Sequence, residues 1–148
     1  MEAIQQALFH IPHALWWTLN NQNRTRLTIG DKKKGLHKLV QKTLKARPIT
    51  PITRPVHIIA GISDYSTGRP SGNDLAIYDS ENAHPVVKTI IDALVTEKIL
   101  ADDNPQIVES VSFTRMATTP PKGTHYVHFV LIPARETVYD LVLKGRNK

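Results

Sequence analysis

Seven carboxylates fall between Asp79 and Glu109 (Asp79, Glu81, Asp92, Glu97, Asp102, Asp103 and Glu109), against Lys88 and Lys98 alone. Asp79 and Glu81 stand two residues apart in Tyr78-Asp79-Ser80-Glu81-Asn82, and Asp102-Asp103 follows beyond a helical stretch. Oxygen-rich sets of this kind suit hard divalent cations such as Mg²⁺, with Mn²⁺ as a substitute. A bound cation can activate water and neutralise charge on a phosphate. The stretch between the pairs sets a geometric condition. A helix of about twelve residues spans ~18 Å, so its acidic ends meet only if the flanking loops fold back. The alternative is that each acidic pair is a solvated turn. Lys88 stands i,i+4 from Asp92, a surface ion pair worth ~0.3–0.5 kcal/mol.

Other chemistries are narrower. The chain has no cysteine, which excludes thiol nucleophiles, disulfides and cysteine-ligated zinc. His10 with His13, and His125 with His128, are spaced like paired ligands, but residues three apart on a strand project to opposite faces. Basic charge gathers elsewhere: ten Lys or Arg lie between Arg24 and Arg54, with Asp31 the one acid among them.

These residues need elements to hold them. Leu8–Ile11, closed by Pro12, reads as a first strand, and Trp16-Trp17 leads into the polar run Asn20–Arg24. From Asp31 to Ala46, Leu36, Leu39, Val40 and Leu44 repeat at helical spacing behind Asp31 as N-cap. Lys34, Lys38, Lys42 and Lys45 project from the opposite face, either as a solvated surface or as phosphate contacts. Val56–Ile62 reads as a buried strand, and Asp64–Asp79 as a loop holding one basic residue, Arg69. A second helix starts near Pro85 and runs to about Glu97, with Val87, Ile90, Ile91, Leu94 and Val95 as its apolar stripe. Ile107–Met116 alternates as a half-exposed strand, and TTPPKGT joins it to His125–Ile132 as an antiparallel hairpin. The segment from Pro133 fits either a helical turn or a last strand, ending in a frayed tail at about 144–148. The sum is a single α+β domain over 1–148, in β-α-β-α-β-β order, with two helices on one face of a mixed sheet.

Read as one string, Tyr78-Asp79-Ser80-Glu81-Asn82, Pro85, Lys88, Asp92-Ala93-Leu94, Leu100, Asp102-Asp103 and Val108 resembles the signature block of the RusA family of Holliday junction resolvases, especially its phage-borne members. The resemblance implies a Mg²⁺-dependent endonuclease that acts as a homodimer on four-way DNA junctions in recombination and repair. By position, Asp79, Glu81 and Asp103 match the family's metal-binding acids, with Asp102 adjacent. Lys88 matches a lysine that assists catalysis, and Asn82 an asparagine after the acidic pair. Glu81 departs from the family's usual Asp by one methylene. On this reading Asn20, Asn23, Arg24, Lys34, Lys38, Lys42, Lys45, Arg69 and Asn82 contact DNA. Two alternatives stand beside it: a DNA-binding protein without catalysis, and a nuclease preferring flaps or forks.

Composition bounds these readings. With 148 residues, 41% of them hydrophobic, and a net charge of +6, one core that buries roughly 68–70% of the unfolded surface suffices. Glu2 stands where a signal peptide carries basic residues, and no apolar run reaches the ~18 residues of a membrane span. The expectation is a cytoplasmic protein without organic cofactor or membrane partner.

Overall fold

A computed structural model describes residues 3–18, 27–63 and 80–134, and only the backbone of Ser80 and Glu81. The described elements are β1 (Gln5–Pro12), α1 (Ile29–Ala46), β2 (Val56–Ser63), α2 (His84–Thr96), β3 (Val108–Arg115) and β4 (Thr124–Pro133). Single 3₁₀ turns at His13–Leu15 and Ser80–Ala83 follow β1 and precede α2. The expected α+β class and element order hold, with both helices on one face of a four-stranded mixed sheet.

The sheet is ordered β1-β4-β2-β3. Strand β4 lies antiparallel to both β1 and β2, and β3 runs parallel to β2. This corrects the expected β3–β4 hairpin. Consecutive strands separated by a short polar link look like hairpin partners, but here the chain crosses over and β4 inserts between β1 and β2.

Alternation explains which faces are covered. Ala7, Phe9 and Ile11 of β1, Val56, Ile58, Ala60 and Ile62 of β2, and Val127, Phe129 and Leu131 of β4 are buried in one core. Against them pack Leu36, Val40 and Leu44 of α1 and Val86, Val87, Ile90, Ala93 and Leu94 of α2. Gln5 ties β1 to the segment after α1, since its side-chain amide both donates to and accepts from the Thr50 backbone at 2.8 Å.

Helix α1 starts earlier than Asp31. Thr28 is its N-cap, accepting from the Asp31 backbone N–H at 3.1 Å, and the Asp31 carboxylate accepts from the Thr28 N–H at 3.4 Å. Asp31 is therefore the third helical residue of a capping box. Replacing Thr28 with Ala should cost about 1 kcal/mol of stability, measurable as a lowered urea midpoint with unchanged slope.

Candidate functional site

The middle of α2 and the turn that follows the helix bring three charged side chains together. Pro85 lies in the first turn of α2, where its missing N–H breaks no helical hydrogen bond. Lys88 and Asp92, one turn apart, share a helix face. After α2 the chain reverses through a turn built by side chains. Asp102 Oδ1 accepts from the Asp103 N–H at 2.7 Å, and Asp102 Oδ2 from the Asn104 amide at 3.1 Å. Asn104 Oδ1 in turn accepts from the N–H groups of Gln106 (2.9 Å) and Ile107 (3.2 Å).

Both oxygens of Asp102 are thus engaged in the turn, and Asp103 is the residue presented to α2. Its Oδ2 lies 4.0 Å from Lys88 Nζ, with the two side chains 42% and 63% exposed. Asp92 stands close enough to feel the Asp103 carboxyl. Burial, and then the neighbouring Asp103 carboxyl, hold the Asp92 carboxyl above its ordinary range, while Lys88 and His37 of α1 pull the other way. A cavity of about 310 Å³ lies alongside, lined by His84, Val87, Lys88, Ile91, Asp103, Pro105, Val108, Val111 and Phe113.

The chain therefore folds back to set Asp103 beside Lys88 of α2, while the meeting of the two acidic ends involves Asp79, which lies outside the described residues. Lys88 pairs with Asp103, where sequence spacing offered Asp92. Asp92 itself was not among the expected ligands, although its place one turn after Lys88 was the available signal. Among the described residues no group of three His, Asp or Glu stands close enough to hold a metal. Asp79 lies outside the described residues, and Glu81 is described in backbone only, in the 3₁₀ turn Ser80–Ala83. Asn82, in the same turn, is half-buried.

Among the residues expected to contact DNA, Lys34, Lys38, Lys42 and Lys45 are exposed on α1 as their spacing predicts. Lys38, Lys42 and Lys45 line a groove of about 610 Å³ with Leu44, Pro48, Ile49, Glu97 and Ile99. Asn20, Asn23, Arg24 and Arg69 lie outside the described residues. A neighbouring lysine departs from the pattern: Lys32 sits on the buried stripe of α1, 1% exposed, and donates to the Trp16 carbonyl at 2.9 Å. Burial pushes its ammonium below the usual lysine range.

Histidine pairing by local spacing misses the contact that forms. His13 Nδ1 and His125 Nε2 are 2.8 Å apart, and His125 stacks flat on Trp16 at 4.1 Å between ring centroids. The partners come from opposite ends of the chain, joined by β1–β4 pairing, so no short spacing signals them.

No family model matches the chain, and no curated protein matches it. The solved structures similar to it include crystal structures of the periplasmic domain of Helicobacter pylori MotB. One spanning MotB residues 90–256 has a TM-score of 0.42 at 17% identity, covering 99% of this chain and 86% of that one. Two others, spanning residues 78–256 and 97–256, have TM-scores of 0.41 and 0.38 at 18% and 14% identity. Each covers 99% of this chain, and 88% and 98% of its own. At these scores the likeness transfers no function.

No family model matches the chain, that of the resolvases included, and the resemblance to the RusA family is corrected on that finding. With it are withdrawn the endonuclease activity, four-way-junction DNA as partner, the two DNA-directed alternatives, the homodimer and the cytoplasmic location. The physical reason is that the block which carried the resemblance has local causes. Ala93 and Leu94 are fully buried core, Pro85 opens a helix, and Asp102 and Asn104 build a turn. Such residues recur wherever a helix is followed by a tight reversal. Among the described residues no helix is long and apolar enough to cross a membrane.

Proposed function

We propose that the chain is a divalent-cation-binding domain, with Mg²⁺ as its ion and Mn²⁺ as a substitute. One observation carries this reading: the turn after α2 sets the Asp103 carboxylate against Asp92 and within 4.0 Å of Lys88. Two carboxyls in mutual contact repel when both are ionised, and a hard cation relieves that repulsion with the oxygen ligands it prefers. Lys88 supplies part of the compensation in its place, through an exposed ion pair that a divalent ion can displace. Asp79 and Glu81 complete the proposed ligand set, and Asp102 shapes the turn that presents Asp103. Bound there, Mg²⁺ would supply a hard positive centre for water or an oxyanionic ligand.

Calorimetric titration with Mg²⁺ tests the reading. The expected result is one saturable site, lost in Asp103→Asn, weakened in Asp92→Asn and retained in Lys88→Met. Absence of binding at millimolar Mg²⁺ in the wild-type chain, or undiminished binding in Asp103→Asn, overturns it.

A further inference from the structure

A second cluster lies on the sheet face turned away from the helices. Where β2 and β3 pair, the register slips by one residue: Val56 faces Val108, but His57 faces Ser110. The extra residue, Glu109, forms a β-bulge, a device that re-aims side chains. Two consecutive residues of β3 thereby meet one imidazole of β2. Ser110 Oγ lies within hydrogen-bond distance of His57 Nδ1 at 2.7 Å, and Glu109 Oε2 lies 3.2 Å from His57 Nε2 as a charge contact outside hydrogen-bond geometry. The Glu109 side chain is 6% exposed and that of His57 is 32% exposed, so the carboxylate is enclosed while the imidazole stays accessible.

The polarity of this chain of groups follows from their chemistry. The carboxylate has no proton to give and favours the tautomer with its proton on Nε2. That leaves the Nδ1 lone pair to accept from the Ser110 hydroxyl. A hydroxyl bonded to an imidazole that has a buried carboxylate beside its other nitrogen is an arrangement that can activate a nucleophile, the carboxylate acting through its charge. The geometry points to Ser110 as a nucleophile that accepts an acyl group from an activated ester, with His57 as its general base and Glu109 positioning that base.

As the Ser110 Oγ–carbonyl carbon bond forms, the hydroxyl proton passes to His57 Nδ1. The carbonyl carbon–alkoxy oxygen bond then breaks, and the same proton leaves with the alcohol. The products are acyl-Ser110 and the free alcohol, with no change of oxidation state. Among the described strands β3 is at the edge of the sheet, so alternate N–H groups along it face no described strand. Such donors are what a developing oxyanion requires. The acyl group would be small and apolar, because Ile132 faces His57 across β2 and β4, and Val130 faces Ile59 on the same surface.

The test uses the full chain with a fluorophosphonate probe and with p-nitrophenyl acetate, the modified residue being located by peptide mass spectrometry. The expected adduct is on Ser110, formed roughly 10²-fold faster than in His57→Ala and absent from Ser110→Ala. Glu109→Gln should slow labelling, and Glu109→Asp should restore part of the rate. Ser112→Ala, two residues along the same face, should label like the wild type. Because Ser110→Ala removes a single oxygen, its thermal melt checks that the fold is intact. Labelling of wild type no faster than that of urea-unfolded chain, or an adduct elsewhere with Ser110 unmodified, overturns the proposal.

Discussion

Replacing Phe129 with Ala should remove about 3–5 kcal/mol of folding stability, a large part of the 5–15 kcal/mol typical of a domain. Phe129 is fully buried at the centre of β4, the strand paired on both sides. Its ring meets that of Phe9 edge-on, with centroids 5.7 Å apart and planes at 87°. The residues opposite it are Ala7 on β1 and Ala60 on β2. Two alanines cannot reach into the space that the ring vacates, so the cavity stays open and the cost falls at the high end. Urea unfolding measures it, and a loss below about 1.5 kcal/mol would mean that the site repacks as a volume-conserving swap does.

Mg²⁺ should stabilise the wild-type chain and leave Asp103→Asn unaffected. A ligand that binds only the folded state, at a hundredfold its Kd, adds about 2.7 kcal/mol. The pH dependence of the metal-free chain gives an independent reading. Burial and the neighbouring Asp103 carboxyl raise the Asp92 pKa above its ordinary 3.8, so the folded chain holds a proton that the unfolded chain releases. That contribution is complete below 3.8 and is lost as pH rises through the folded value. In chelator, wild-type stability should therefore fall with rising pH across this acid window, and Asp92→Asn should flatten the slope. Thermal melts at a series of pH values, with and without Mg²⁺, measure both effects. A Mg²⁺ shift that persists in Asp103→Asn would place the ion elsewhere.

Elements whose periodicity is local were legible from residue order. Leu36, Val40 and Leu44 recur at i,i+4 and mark α1 without reference to the rest of the chain. Its start was displaced because Asp31 is a good capping residue in either role, and Thr28 competes for the cap three positions earlier. The sheet order was not legible, because β1 and β4 meet across more than a hundred residues and nothing in either strand names its partner. At the candidate cation site the acids were visible, but their division of labour was not. Asp102 and Asp103 are identical in type, and only the turn decides which one hydrogen-bonds the backbone and which one faces α2. The Glu109 bulge was hidden for the same reason: strict alternation assigns Glu109 and Ser110 to opposite faces, and only the slipped register beside His57 overrides it.

The central place of β4 has a consequence for synthesis on the ribosome. β1 emerges early, yet its neighbour in the sheet is translated more than a hundred residues later. Until then, among the described strands, β1 has none beside it and β2 pairs only with β3. Closing the sheet must therefore follow translation of Thr124–Pro133, late and through contacts of long sequence separation, the kind that slow folding. During that interval the hydrogen-bonding groups of β1 lack their β4 partner, and the nascent chain is a client for holding chaperones until β4 arrives.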